Sequence, residues 1–361
     1  RTTPGDGYTI ESITYASEPE SRVTAHLYLP EGDGPFPGIV LACGHGGSKS
    51  ALYAQYAGQL YAKHGFALLA VDTIGEEERN QDRKMGSRAH DLYHIPKVER
   101  GPFMENEMKR SILGKIVWDL MRGVDYLSAR PEVDGDRMGT IGSSLGGASA
   151  TSLAMLDDRI QAAVISGWGF IPDIVTKSKP CTNVPYRDFV AMMDFGEMTA
   201  LFAPHAATIF LNGSADSIID PDENGAALVR GVTENLHRAR ELLDAAGIPH
   251  TLEADFVQDA GHRPYILTPR ALTWMSTHLQ GGAIDRDLAT THYGAWVEGE
   301  GQRLEKLYDT EARQRGTEVV DIGAVYRDPA SIACLPLNSN PDATYTFNGW
   351  MARCLDAAAT K

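Results

Sequence analysis

Residues Gly142 to Gly146 read Gly-Ser-Ser-Leu-Gly, followed by Gly147 and the small residues Ala148, Ser149 and Ala150. Glycine two positions before and two positions after a serine is the pattern of a nucleophile carried on a sharp strand-to-helix turn. The serine on such a turn holds a strained backbone conformation, and only glycines at the flanks avoid colliding with it. Of the two adjacent serines, Ser144 alone has glycine at that distance on both sides. Arg137 to Ile141 reads as a short strand and Ala148 to Leu156 as a good helix, so Ser144 would sit at a helix N-terminus. There the helix dipole and free backbone N–H groups favour a developing negative charge. The chemistry implied is acyl transfer through a covalent serine adduct; the plainer alternative is a small-residue turn that only permits close packing.

A serine hydroxyl is a poor nucleophile near neutral pH, so a base must take its proton. For a nucleophile on this kind of turn, the acid and then the histidine follow in chain order. His262, in Asp259-Ala260-Gly261-His262, follows the last expected strand and precedes the last long helix, where the base belongs. The other downstream histidines fit less well. His205 lies in an irregular segment, His237 and His278 in expected helices, His250 at a strand start and His292 in the tail. Ile209 to Leu211 is an apolar strand that runs into Asn212-Gly213-Ser214-Ala215-Asp216, and Asp216 is the natural group to orient the imidazole. Asp220 is its rival, and Asp222 is expected to cap the next helix.

A tetrahedral intermediate also needs preformed N–H donors. The amide of Leu145, directly after the nucleophile, is one. The second is expected from Cys43-Gly44-His45-Gly46-Gly47-Ser48-Lys49-Ser50, from His45 first and Gly46 next. The same loop invites a phosphate-binding reading, but that pattern requires Gly directly before Lys, and Ser48 stands there. His90-Asp91-Leu92-Tyr93-His94 superficially resembles a metalloprotease helix. Asp replaces the required Glu and Pro96 follows at once, so a surface loop is the better reading. No metal and no cofactor are expected.

The elements that must position these residues follow from the apolar pattern. Continuous apolar runs at 38–43, 66–71 and 137–141 are separated by helix-like segments at about 51–64 and 107–129. The alternation continues through strands at 161–165, 207–211 and 250–257 and helices near 146–156, 223–246 and 268–279. Runs buried on both faces and spaced by amphipathic helices indicate an α/β fold with a mostly parallel sheet covered on both sides. Residues 23–30 alternate like an antiparallel strand with one wet face, and Pro30 to Pro37 reads as the turn of an opening hairpin. Seven or eight strands result. The proline-rich stretch 168–205 reads as an insertion over the strand ends, where such folds bind ligands. The catalytic domain is therefore expected over 1–282, with 283–361 as a C-terminal extension packed on it and a helix at about 295–315.

Composition narrows the partners. Asp and Glu outnumber Lys and Arg 48 to 33, a formal net charge of −15, so a polyanion such as nucleic acid would be repelled. No apolar stretch approaches the roughly 18 to 20 residues of a membrane span, so a soluble chain without membrane attachment is expected. The start at Arg1, without Met, fits a cytoplasmic chain that has been trimmed or a secreted one that has lost its signal peptide. Cys43, Cys181, Cys334 and Cys354 lack any close C-x-x-C spacing, which argues against a zinc module. Cys334 and Cys354 could pair locally or remain buried thiols. The partner expected is a small-molecule or carbohydrate ester; the same residues would also cleave an amide or a peptide, and a non-catalytic binding protein that has kept the fold is the alternative of a different class.

The Gly44-His45-Gly46-Gly47 loop, Asp72-Thr73-Ile74-Gly75 with Glu78-Arg79, the Gly142 to Gly147 turn and Gly261-His262-Arg263-Pro264 together resemble the dienelactone hydrolase and acetyl xylan esterase branch of the α/β-hydrolases. The likeness covers roughly residues 8–280. It implies an eight-stranded sheet, a cofactor-free Ser-His-Asp mechanism and small ester or acetylated-sugar substrates. Dienelactone hydrolases proper carry a cysteine nucleophile where this chain has Ser144, so the resemblance does not extend to lactone hydrolysis by that route. It also makes Glu78 and Arg79 candidate pocket residues, with a structural salt bridge as the alternative. Trp168, just past Ser166-Gly167, would line the pocket or fill the core.

Overall fold

The computed structural model describes residues 2–5, 7–81, 101–169, 189–282 and 344–359. The strands are β1 (Thr2–Pro4), β2 (Tyr8–Glu18), β3 (Ser21–Pro30), β4 (Phe36–Ala42), β5 (Ala67–Val71), β6 (Val133–Ser143), β7 (Ile160–Ser166), β8 (Ala207–Gly213) and β9 (Leu252–Val257). They form one sheet in the order β1-β2-β3-β5-β4-β6-β7-β8-β9. The first three run antiparallel, β3 is antiparallel to β5, and every other pairing is parallel.

Alternate residues of each central strand feed two cores. On β4, Val40 and Ala42 point into one layer and Ile39 and Leu41 into the other. The first layer is covered by the helices α2 (Gly101–Ser128), α3 (Leu145–Leu156), α4 (Phe195–Phe202) and α5 (Ala226–Ala246). The second is covered by α1 (Leu52–Lys63) and α6 (Pro269–Leu279). This burial on both faces makes the strands read as unbroken apolar runs. Each fully buried side chain of the size of Leu41 contributes about 1.5–3 kcal/mol.

Four details differ from the sequence-based expectation. The hairpin closes between β2 and β3, around residues 19–20, and not at Pro30–Pro37. Strand β5 lies between β3 and β4, so the segment after Pro30 is a crossover. The sheet has nine strands rather than eight, because the three-residue β1 adds an edge. Finally, β3 has no wet face: Thr24, His26 and Tyr28 are fully buried. Their polar groups suggested solvent, but the Tyr28 ring packs on α1 at Gly58, where a Cβ would lie only 2.3 Å from it.

His26 has no hydrogen-bond partner at either ring nitrogen among the described residues. Burial, and then the Lys49 charge, holds its imidazole well below the usual 6.5. As pH falls through 6.5 the unfolded chain takes up this proton and the folded one does not, so stability is lost on acidification. His26→Leu is therefore expected to gain on the wild type as pH drops below 6.5, by up to about 1.4 kcal/mol per pH unit. Chemical denaturation at a series of pH values would measure this. A difference that does not change with pH would show that the folded state protonates His26 as readily as the unfolded one.

Of the expected insertion, residues 170–188 lie outside the described residues. Its end contains α4, which starts at a capping box between Asp194 and Glu197 and buries Met198 and Phe202. Of the expected extension, the described part holds the helix α7 (Phe347–Ala359), whose Phe347 and Trp350 join the α2-side core. The helix suggested at 295–315, the His90 to His94 segment and Cys334 lie outside the described residues. Cys43 is buried and Cys354 exposed.

Candidate active site

The turn from β6 into α3 is built as the glycine spacing requires. Ser144 has φ 63° and ψ −124°, a conformation that non-glycine residues rarely adopt. The chain doubles back so tightly that a Cβ at Gly142 would lie 2.1 Å from the Gly146 carbonyl oxygen. One at Gly146 would lie 2.1 Å from the Ala42 oxygen. Neighbouring strands hold the turn: the Ser144 N–H donates to the Ser166 carbonyl at 3.0 Å, next door on β7. Ser144 is buried, and Leu145 begins α3 with its amide at the helix start.

Asp216 follows β8 and His262 follows β9, and the structure brings them together with His262 Nδ1 2.7 Å from Asp216 Oδ2. Both are buried. The other carboxylate oxygen, Oδ1, accepts the N–H groups of Ile218 and Ile219, each at 3.1 Å. Burial pushes the Asp216 carboxyl up. The His262 charge, the His262 hydrogen bond and the two backbone N–H groups outweigh that and hold it below its ordinary 3.8. Asp216 therefore stays ionised throughout the neutral range. The rival, Asp220, is engaged elsewhere: its two oxygens accept the Glu223 amide in the turn before α5 and the Ala227 amide in its first turn. It thus caps the first turn of α5 through Ala227, after the turn at Gly225, φ 92°.

The His262 loop is tied to the Ser144 turn by a residue that the sequence did not single out. Ser166 Oγ donates to the Arg263 carbonyl at 3.1 Å and accepts the Tyr265 N–H at 2.8 Å, while its own carbonyl holds Ser144 N–H. Tyr265 Oη donates to the Gly261 carbonyl at 2.5 Å, closing the loop on itself. The ring of His262 rests against Gly167, the residue after Ser166. Nothing local distinguishes Ser166, since its role depends on residues nearly a hundred positions downstream.

The loop after β4 lies against the same turn, with Gly44 so near Ser143 that a Cβ would be 2.8 Å from the Ser143 oxygen. His45 and Gly46 are half-buried, and Gly46 has φ 70°. Glu78 and Arg79 are buried in ion pairs: Glu78 Oε2 lies 2.9 Å from Lys49 Nζ, and Arg79 Nη2 lies 2.8 Å from Asp119 Oδ2. Removing one partner from such a buried pair costs about 3–5 kcal/mol. Trp168 is buried in the core, with its backbone N–H and C=O both bound by the Asn212 side chain.

An open, mostly parallel sheet with a strained serine between strand and helix, and an Asp–His pair after the last two strands, defines an α/β-hydrolase. The chain belongs to the acetyl xylan esterase (AXE1) family, a family of carboxylic ester hydrolases, whose sequence profile matches residues 6–189. It is 31% identical over 146 residues to acyl-coenzyme A thioesterase 3 of Mus musculus, a match covering 40% of this chain and 26% of that protein. The chain thus spans about a quarter of the length of that relative. Among solved structures it is similar to methylesterase BT1017, with a TM-score of 0.57, 19% identity and coverage of 99% of this chain and 69% of the other. A glucuronoyl esterase from Solibacter usitatus gives a TM-score of 0.52 at 16% identity, covering 76% and 83%. At these identities the structural likeness is one of fold. No helix among the described residues is long and apolar enough to cross a membrane.

Proposed function

We propose that the protein hydrolyses a carboxylic ester of a small molecule or an acetylated sugar through an acyl-enzyme on Ser144. The observation that carries this reading is the 2.7 Å contact between His262 Nδ1 and Asp216 Oδ2, on the same sheet edge as the strained Ser144. With Nδ1 directed at a carboxylate, Nε2 is the nitrogen left to take the Ser144 proton as the hydroxyl attacks the ester carbonyl. Asp216 steadies the imidazolium that forms. The Leu145 and His45 amides hold the oxyanion of the tetrahedral intermediate. His262 then gives the proton to the leaving alcohol, and water activated by the same nitrogen releases the acid.

Thioester cleavage is the second reading, favoured by the likeness to the mouse acyl-coenzyme A thioesterase. It would use the same residues, because the acyl-enzyme is identical and only the leaving group differs. A fluorophosphonate probe with peptide mapping, run beside short-chain aryl esters, thioesters and anilides, tests both. The expected result is an adduct on Ser144 with ester turnover well above anilide turnover. Thioester turnover above ester turnover would favour the second reading. A folded protein with neither adduct nor turnover would refute both and leave a binding protein that has kept the fold.

A further inference from the structure

We infer that Lys49 is a positioning residue for this reaction: bound to Asp72 through both its backbone amide and its ammonium, it sets the loop that presents the His45 amide to the oxyanion. The inference rests on the reading of Ser144 as nucleophile.

The loop Gly44 to Ser50 is pinned at both ends. At its start the Gly44 N–H donates to Tyr53 Oη at 2.8 Å, the Gly47 N–H turns back to the Gly44 carbonyl at 3.0 Å, and Gly44 packs on Ser143. At its end the Lys49 N–H donates to Asp72 Oδ1 at 2.7 Å, and Lys49 Nζ reaches Asp72 Oδ2 at 2.5 Å. The same ammonium lies 3.2 Å from Glu77 Oε1 and 2.9 Å from Glu78 Oε2, and Ser50 Oγ donates to Glu77 Oε1 at 2.9 Å. His45 and Gly46 form the turn that the Gly47–Gly44 bond closes, and the Lys49 anchor two residues beyond sets how that turn is tilted against Ser143.

A lysine that is fully buried is unusual unless its charge is matched. Burial alone would push its ammonium down, but the Asp72, Glu77 and Glu78 carboxylates raise it. The anchor is also stiff. Thr24 Oγ1 on β3 donates to Asp72 Oδ2 at 2.5 Å, and Arg79 Nη1 donates to the Asp72 carbonyl at 2.9 Å. The Lys49 N–H bond to Asp72 belongs to the backbone of the loop itself, four residues after His45. That hydrogen bond fixes peptide orientation, on which an oxyanion donor depends.

Lys49→Met would strand three buried carboxylates and is expected not to fold, so milder variants carry the test. Asp72→Asn keeps the shape but cannot accept from both the Lys49 amide and its ammonium. The Lys49 ammonium keeps Glu77 and Glu78 as charged partners in this variant, so its charge stays matched. Lys49→Arg keeps the charge but replaces one ammonium, shared by three carboxylates, with a planar fork. The measurements are kcat and KM on a short-chain aryl ester, affinity for phenylboronic acid, and the thermal midpoint. The boronate forms a tetrahedral adduct on a nucleophilic serine and places an oxygen where the oxyanion forms.

Both variants are expected to lose kcat by roughly tenfold to a hundredfold with KM within about twofold, and to lose boronate affinity by the same factor. A folded variant with a lowered thermal midpoint but unchanged kcat and boronate affinity would overturn the inference and leave Lys49 as a staple. Failure of the underlying reading shows separately, as a wild-type protein that binds no boronate.

Discussion

Ser144→Ala is expected to cut ester turnover by about 10⁴ to 10⁶-fold while the protein stays folded, in line with what loss of the nucleophile costs other serine hydrolases. The expectation of an intact fold has a structural basis. Alanine keeps the Cβ, so the strain at φ 63° is the same in both, and the hydroxyl is the only group removed. The backbone bond from residue 144 to the Ser166 carbonyl does not involve the side chain. Residual turnover would come from the Leu145 and His45 amides acting on a water. Hydrolysis of a phenyl ester at saturating substrate, beside a thermal melt, measures both parts. Turnover that survives in Ser144→Ala but disappears in Ser143→Ala would move the nucleophile to the neighbouring serine, whose Oγ is 3.5 Å from the Arg263 carbonyl.

Asp216→Asn is expected to lower kcat by about 10⁴-fold, a magnitude taken from the equivalent change in another serine hydrolase. The reason is proton placement rather than charge alone. Ionised Asp216 can only accept, so His262 carries its proton on Nδ1, and in the proposed mechanism the lone pair of Nε2 takes the Ser144 proton. An asparagine held by the Ile218 and Ile219 N–H groups keeps its oxygen toward them and turns its NH₂ toward Nδ1. Then Nδ1 accepts, the proton moves to Nε2, and the base is lost. Because the Asp216 carboxyl lies below 3.8 in the folded protein, its stabilising contribution is present above that value and disappears as pH falls through the folded one. Wild-type activity lost between pH 7 and pH 4 therefore belongs to a group other than Asp216. Stopped-time assays of Asp216→Asn and the wild type across that range would check this. An Asn variant within tenfold of the wild type would remove Asp216 from the proposed mechanism.

Much of this could be read before any contact was known. Elements such as α1 at 52–63, α3 at 145–156 and α6 at 269–279 fall within a few residues of their expected places, because hydrophobic period and glycine breaks act over single turns. Strand β3 departs from its expected exposure for the opposite reason. Its alternation of Thr24, His26 and Tyr28 with Val23, Ala25 and Leu27 is that of a half-exposed strand, and only the arrival of α1 buries the polar side.

The glycine spacing of the turn and the series of strands and helices were legible in the sequence, because each rests on backbone preference or periodicity within a dozen residues. The proposed order Ser144, Asp216, His262 came instead from the chain order that such a turn requires. Only the folded chain shows that Asp220 accepts the Ala227 amide in the first turn of α5, that Ser166 ties the His262 loop to the Ser144 turn, and that Glu78 and Arg79 lie in ion pairs. These depend on which charge or donor arrives from a distant segment: Tyr15 bonds the carbonyl of Asp119, 104 positions away, and Lys49 finds Asp72 across two strands. Partner choice in a buried polar cluster follows from desolvation, which penalises every unmatched group, and that penalty exists only once the chain has closed around it.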